Sequence, residues 1–170
     1  DLICLSPKLV DDVVDVAAGS QVFVVPNAIE QSVIPFDQLH NRAMRHVQAD
    51  EPLRLLMFSN LQISKGIFDY LRVSKQLVEL GADMEFHLAG PFTASFSVAH
   101  LDDFLLSLGV HAKRFVYHGA VYNEEKFRLL QSMDILVHPS HNDALPLVII
   151  EALASGLAVI STPQGGIPDL

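Results

Sequence analysis

The chain has 170 residues, of which 50% are hydrophobic and 18% are charged, a composition that buries a substantial core and excludes a disordered chain. The length fits one domain, because a single hydrophobic core organises roughly 100–200 residues. Twenty acidic and eleven basic residues give a net charge of −9, which argues against nucleic acids and anionic membranes as partners.

Short runs rich in Val, Ile, Leu and Phe alternate with longer segments whose apolar residues recur at three-to-four spacing. The first residues, from Asp1 to Pro7, begin like a strand. The predicted strands after it are Val22–Pro26, Arg54–Ser59, Glu85–Ala89, Phe115–Tyr117, Ile135–His138 and Ala158–Ser161. The predicted helices are Lys8–Ala18, Gly66–Leu80, Val98–Leu108, Glu124–Met133 and Leu147–Ser155.

Capping residues agree with this alternation of strands and helices. Asn123 resembles an N-cap followed by two acidic first-turn residues, and glycines follow three predicted helix ends. The helix side chains expected to face the sheet are Leu77, Leu80, Phe127, Leu130, Ile149 and Leu153. The order predicts an α/β fold with a mainly parallel, doubly wound, Rossmann-like sheet. Ligands of such sheets bind beyond the carboxyl ends of the strands, here in the loops after Ser59, Ala89, Gly119 and His138.

The polar stretch between Ala28 and Pro52 lacks clear periodicity and is predicted to be a loop with a short helix. We interpret residues 1–21 as the end of a preceding N-terminal domain or an interdomain segment. Residues 22–170 are then one ligand-binding domain, truncated before its C-terminal helices, so the chain is expected to be a fragment.

Two carboxylates, Asp143 and Glu151, stand eight positions apart around the start of the last predicted helix. Eight residues correspond to about 12 Å of helical rise, so the pair would contact different parts of one extended ligand. Backbone N–H groups near Pro146–Val148 could bind a phosphate. Spacing alone favours the alternative that Asp143 caps the helix and Glu151 is solvated.

Lys65 precedes a predicted helix, where a positive charge is unfavourable unless an anion lies beside it. This position makes a phosphate ligand more attractive than simple solvation. His138 and His141 invite a metal hypothesis, but no third ligand follows at a recognisable spacing, so no metal is expected. The single Cys4 excludes an intrachain disulfide and mildly favours a reducing compartment.

Several short motifs occur in a recognisable order. The last three are Asp143-Ala-Leu-Pro-Leu-Val-Ile-Ile-Glu151, Ala154-Ser-Gly-Leu-Ala-Val-Ile160 and Gly165-Gly-Ile-Pro-Asp169. The earlier ones are Pro26-Asn27-Ala28, Leu56-Met-Phe-Ser-Asn-Leu61, Lys65-Gly66, Leu88-Ala-Gly-Pro91 and Tyr117-His-Gly119. Together they resemble glycosyltransferase family 4, and the likeness spans most of the chain.

The resemblance implies a retaining enzyme of GT-B fold whose C-terminal half binds a nucleotide-diphosphate sugar, while the missing N-terminal half supplies the acceptor site. It places Asp143 by the transferred sugar, Glu151 on the ribose and Lys65 on the diphosphate. Ser59 and Asn60 replace the family's Gly and Arg. Since Asn60 brings no charge, the charge of the leaving diphosphate would depend more on Lys65 and helix dipoles.

The resemblance makes Asp143 and Lys65 the expected catalytic residues. The expected substrate-binding residues are Ser59, Asn60, Lys65, Gly90, Pro91, Gly119, Val121, Asp143, Ala144, Leu145, Pro146, Leu147 and Glu151. No cofactor is expected besides the donor, and the acceptor would be a glycan, a lipid or a small molecule. The implied role is sugar transfer in glycan or polysaccharide biosynthesis, in the cytoplasm or, for the full-length protein, at the inner face of the membrane. The alternatives are a nucleotide-sugar epimerase of GT-B type and a non-catalytic nucleotide-sugar-binding homologue.

Overall fold

The computed structural model describes residues 1–17, 19–29 and 51–170. Most of the stretch predicted to be a loop with a short helix, between Ala28 and Pro52, therefore lies outside the described residues. The strands are β1 (Leu2–Cys4), β2 (Val22–Val24), β3 (Leu53–Phe58), β4 (Met84–Ala89), β5 (Phe115–Tyr117), β6 (Ile135–His138) and β7 (Ala158–Ser161). The α-helices are α1 (Ile67–Glu79), α2 (Val98–Leu108), α3 (Asn123–Gln131) and α4 (Leu147–Ala154).

Five strands form one parallel sheet in the order β5-β4-β3-β6-β7. The chain runs outward from the central β3 to β5, then returns to the other side of β3 and runs outward again through β6 and β7. The strand order therefore reverses between β3 and β6, which are paired through Leu55 with Ile135 and Leu56 with Leu136. Ligand crevices of open α/β sheets form at this kind of reversal.

Alternate side chains of β3 point into two separate hydrophobic cores, as the period of a strand requires. Leu55 and Met57 belong to the core that contains residues of α1 and α2. Leu56 and Phe58 belong to the core built with residues of α3 and α4. Helices thus cover both faces of the sheet, and the predicted doubly wound, parallel α/β fold is confirmed.

β1 and β2 form a small parallel sheet of their own, which spans the predicted boundary after residue 21. The segment that follows is attached to the main unit by Asn27, whose Nδ2 donates a hydrogen bond of 2.7 Å to the carbonyl oxygen of Leu145. The backbone N–H of Lys8 also donates to Asp169 Oδ2 at 3.3 Å. The division into residues 1–21 and 22–170 stays a prediction.

The helix predicted over Lys8–Ala18 is wrong, because the structure has a 3-10 helix over Pro7–Val13. None of the residues in this 3-10 helix is buried, so packing supplies little of the energy that would stabilise a longer α-helix. Two of the helix residues expected to face the sheet point outward instead. Leu80 is 83% exposed because it lies at the C-cap of α1, and Leu153 is 47% exposed near the end of α4.

The predicted N-cap at Asn123 is one residue late. Tyr122 is the N-cap of α3 and makes no side-chain capping hydrogen bond, while Asn123 is the first helical residue with a φ of 53°. Glu124 and Glu125 occupy the first turn as predicted, where their negative charges interact favourably with the positive end of the helix dipole. No helix within the described ranges is both long and apolar enough to cross a bilayer.

Candidate functional site

A cavity of about 540 Å³ opens at the carboxyl edge of the main sheet, where the strand order reverses. It collects residues from the loops after β3, β4 and β5, from the end of β6 and from the start of α4. Its lining consists of Phe58, Ser59, Asn60, Lys65, Gly90, Pro91, Val121, Tyr122, Lys126, His138, Asp143, Pro146, Leu147, Val148 and Glu151. The parallel fold thus brings together segments that lie far apart in the chain.

Most of the residues expected at the site line this cavity; the exceptions are Gly119, Ala144 and Leu145. The carbonyl oxygen of Gly119 accepts a hydrogen bond from the N–H of Gly90 at 2.8 Å, and that of Ala144 accepts one from Gly166 at 2.6 Å. Leu145 is buried, and its carbonyl oxygen accepts the hydrogen bond from Asn27. The carbonyl oxygens of these three residues therefore accept hydrogen bonds that connect the loops around the cavity.

Lys65 and Asp143 form an ion pair inside the cavity. Lys65 Nζ lies 2.7 Å from Asp143 Oδ2 and donates a second hydrogen bond of 3.1 Å to the carbonyl oxygen of Asn142. An ammonium group has three N–H bonds. Two of them are used in these contacts with the described residues, so one remains for a ligand. His138 Nε2 lies 2.8 Å from the same Asp143 Oδ2.

These contacts keep Asp143 ionised. Burial alone raises the pKa of the Asp143 carboxyl, but the hydrogen bonds from His138 and Lys65 and the charge of Lys65 lower that pKa to about 2. Asp143 is therefore an acceptor of hydrogen bonds at neutral pH and has no proton to donate. It does not cap α4 either, since the N-cap is Pro146, without a side-chain capping hydrogen bond.

The two loops that carry Lys65 and Asp143 are in direct backbone contact. The N–H of His141 donates to the carbonyl oxygen of Ser64 at 2.8 Å, and Ser140 Oγ donates to the same oxygen at 3.2 Å. Because two hydrogen bonds join the β3–α1 loop to the β6–α4 loop, the separation of Lys65 from Asp143 is set by the backbone as well as by their charges.

Glu151 forms the second ion pair of the cavity, with a lysine that was not predicted from the sequence. Its Oε1 lies 2.5 Å from Lys126 Nζ, which reaches across from α3. Glu151 is only 7% exposed, so the alternative of a solvated carboxylate is wrong. A buried carboxylate requires a partner, and Lys126 supplies it.

A signal for Lys126 exists in the sequence. Lys126 precedes Leu129 and Leu130 by three and four positions, and both of these are buried in the core beneath α3. A lysine on the apolar side of a helix indicates an acidic partner on a neighbouring element. The sequence shows no direct sign of which carboxylate that is. Phe58, Tyr122 and His138 are the other lining residues that were not predicted at the site.

The amino end of α4 contributes Pro146, Leu147 and Val148 to the cavity. The first backbone N–H groups of a helix have no partner within the helix and carry a partial positive charge, so they attract an anion. Ser59 and Asn60 line the cavity after β3, and the Ser59 hydroxyl donates to the carbonyl oxygen of Asn60 at 3.1 Å. The cavity therefore combines two ammonium groups and a helix terminus with two carboxylates.

The histidines beside the site have separate partners. His138 contacts Asp143, whereas His141 Nε2 lies 2.6 Å from Asp69 on α1. Within the described residues, no group of three or more His, Cys, Asp or Glu side chains is arranged to hold a metal ion.

The model of the family described as glycosyl transferases group 1 matches residues 52–170. The chain belongs to this family. It is 28% identical over 177 residues to the D-inositol 3-phosphate glycosyltransferase of Corynebacterium diphtheriae, with 98% of the chain aligned to 41% of that protein.

Solved structures agree on the fold of this group 1 glycosyltransferase chain. Sucrose-phosphate synthase from Thermosynechococcus elongatus superposes with a TM-score of 0.73 at 22% identity, covering 98% of this chain and 42% of that one. Anabaena HepE in complex with UDP superposes with a TM-score of 0.71 at 21% identity, covering 98% and 46%. The chain thus spans less than half the length of the proteins it matches, and the likeness to glycosyltransferase family 4 expected from the motifs is confirmed.

Proposed function

We propose that this chain is the donor-binding part of a retaining glycosyltransferase that transfers a sugar from a nucleotide-diphosphate sugar to an acceptor. The observation that carries the proposal is the cavity with two carboxylate–lysine pairs beside the amino end of α4. Such a set of groups fits a ligand with hydroxyls at its ends and a diphosphate between them. Family membership and a UDP-bound structural relative support this choice of ligand.

The roles proposed for individual residues follow the chemistry of the cavity. Lys65, with one N–H left for a ligand, binds the diphosphate together with the backbone at the start of α4. Glu151 accepts hydrogen bonds from ribose hydroxyls, and Asp143 accepts one from the transferred sugar. As Asn60 is neutral, Lys65 carries most of the positive charge that stabilises the leaving diphosphate in the transition state.

The acceptor, which is a glycan, a lipid or a small molecule, binds to a part of the protein beyond these 170 residues. Donor binding requires no cofactor or metal held by this chain. The protein acts in glycan or polysaccharide biosynthesis, in the cytoplasm or at the inner face of the membrane.

A second candidate is a non-catalytic nucleotide-sugar-binding homologue. Two observations favour it: a neutral Asn60 in the lining of the cavity, and an Asp143 whose Oδ2 is already engaged by two donors. Both candidates require donor binding, so they differ only in sugar transfer by the full-length protein.

Calorimetry tests donor binding. We expect the 170-residue chain to bind UDP or GDP more tightly than the matching nucleoside, because Lys65 and α4 contact the diphosphate. Replacing Lys65→Met should weaken binding of the diphosphate about tenfold or more, in line with a charge-assisted hydrogen bond of about 1.5–3 kcal/mol. Lys126→Met should weaken binding of both nucleoside and diphosphate, because Glu151 loses its partner.

Lys75→Met is the matched control, since this lysine lies on α1 and pairs at 4.0 Å with Glu79. It should leave both affinities unchanged. A folded chain that binds none of UDP, GDP, ADP and CDP would refute the proposed function.

A further inference from the structure

His138 is more deeply buried than its position at the edge of a cavity would suggest. It is the last residue of β6, is 1% exposed, and is paired in register with Ser161 of β7. Ser161 Oγ also donates a hydrogen bond of 2.8 Å to the carbonyl oxygen of His138. The imidazole therefore extends from a hydrogen-bonded strand end and lies between the sheet and the loop that carries Asp143.

The two ring nitrogens of His138 have different surroundings. Nε2 lies 2.8 Å from Asp143 Oδ2, while Nδ1 is buried with no hydrogen-bond partner among the described residues. A carboxylate only accepts hydrogen bonds, so Nε2 must carry the proton. When the ring is neutral, its single proton therefore lies on Nε2.

Asp143 Oδ2 receives two donors, His138 Nε2 and Lys65 Nζ at 2.7 Å. Among the hydrogen bonds of the described residues, Oδ1 has none. An aspartate side chain is short and can rotate, so a single donor would leave the position of Oδ1 loosely defined. Two donors from different elements, β6 and the β3–α1 loop, fix the carboxylate in one orientation.

We propose that His138 is a positioning residue that holds the Asp143 carboxylate with Oδ2 toward the protein and Oδ1 available to a hydroxyl of the transferred sugar. This inference rests on the proposed function and assigns His138 no contact with the donor. It also explains how Asp143, with its short side chain, can bind a sugar: Oδ1 is held in one position, where it accepts a hydrogen bond from a sugar hydroxyl. Lys65 is oriented by the same contact, so its remaining N–H is directed at the diphosphate.

Two variants separate positioning from packing. His138→Gln keeps an N–H donor near the position of Nε2, whereas His138→Met fills similar space without a donor. Binding of a sugar nucleotide is measured against the same nucleotide without its sugar, using UDP-glucose with UDP and GDP-mannose with GDP. The pair used is the one whose sugar nucleotide binds the wild-type chain. For that pair, we expect His138→Met to lower the affinity for the sugar nucleotide about tenfold and the affinity for the nucleoside diphosphate less than about threefold. His138→Gln should restore most of the loss.

NMR provides a test that needs no ligand. In the wild-type chain, nitrogen-15 spectra should show His138 protonated at Nε2. The carbon-13 shift of the Asp143 carboxyl should titrate with a midpoint of about 2 in the wild type. The midpoint should rise in His138→Met and return towards the wild-type value in His138→Gln, provided that near-UV circular dichroism shows both variants folded.

An Nε2 without a proton in the wild type would overturn the proposal, as would an unchanged Asp143 midpoint in a folded His138→Met variant. Equal losses of UDP-glucose and UDP affinity would also contradict it, because they would indicate a general packing role. If no nucleotide binds at all, the proposed function fails, and the NMR measurements alone then decide whether His138 orients Asp143.

Discussion

Gly66 shows how a single residue sets the distance between two loops. Its φ is +76°, and a Cβ placed on it would meet the carbonyl oxygen of Pro139 at a distance far below van der Waals contact. Both loops at this contact carry residues of the cavity, Lys65 on one and Asp143 on the other. A side chain at position 66 must therefore push apart the loops that hold the ion pair, because the atom it meets belongs to the backbone.

We predict that Gly66→Ala lowers the free energy of unfolding by at least about 3 kcal/mol and weakens binding of UDP or GDP, as measured by urea unfolding and calorimetry. The left-handed backbone accounts for about 1–2 kcal/mol of this loss. The rest comes from separating the loops. Gly81→Ala is the control, because Gly81 has a similar φ of +79° but a Cβ there would meet nothing within 4 Å. Equal losses in the two variants would contradict the role assigned to the loop contact.

At the scale of secondary-structure elements, two histidines link β4 to the residue that follows β5. His87 Nδ1 lies 2.9 Å from His118 Nε2, and the rings are stacked with centroids 5.2 Å apart. Burial lowers the pKa of both rings, and the charge of His118 lowers that of His87 further, although Glu85 opposes this effect. One proton between the two nitrogens satisfies the contact, whereas protons on both nitrogens would leave two donors facing each other without an acceptor.

This pair should make the chain less stable in weak acid. Because the folded pKa values lie below the ordinary 6.5, the unfolded chain takes up more protons as the pH falls through 6.5. The stabilisation is complete above that pH and is lost below it. We expect urea unfolding to show a free energy that decreases from pH 7 to pH 5, with a smaller decrease in His118→Asn.

His111→Asn serves as the comparison, since His111 is exposed in the 3-10 helix over Gly109–Arg114. It should leave the pH dependence unchanged. If His118→Asn and His111→Asn had the same pH dependence as the wild type, the pair would not be the source of the effect.

At the scale of the whole molecule, the chain aligns to 41% of the C. diphtheriae relative and 42% of the T. elongatus structure. All the ligand-binding groups proposed above lie at the carboxyl edge of one sheet, and none of them is an evident site for an acceptor. Binding of the donor and transfer of its sugar should therefore be separable.

We predict that the 170-residue chain binds a nucleoside diphosphate but transfers no sugar, while the full-length protein does both. Product analysis by mass spectrometry, with UDP-glucose or GDP-mannose as donor, measures the transfer. Sugar transfer by the 170-residue chain would contradict the division of roles. Release of an epimerised sugar by the full-length protein without any acceptor would instead support the epimerase alternative.

The sequence was sufficient for most of the main sheet. Three predicted strands, Phe115–Tyr117, Ile135–His138 and Ala158–Ser161, have the bounds found in the structure. Parallel strands covered on both faces are continuous apolar runs, and such runs stand out between helical segments. The helix predicted over Lys8–Ala18 failed because a short periodic segment without a buried face does not distinguish an α-helix from a 3-10 helix.

The sequence by itself determined the α/β order, because that order depends on local periodicity. It also predicted a site at the carboxyl edge, and the resemblance of its motifs predicted roles for Lys65, Asp143 and Glu151. Only the tertiary structure decided that Lys126 pairs with Glu151 and that His138 holds Asp143. Lys126 lies 25 positions before Glu151 and on a different helix, and the tautomer of His138 depends on its contact with Asp143. Contacts of this kind arise from the packing of separate elements, which no local pattern of residues specifies.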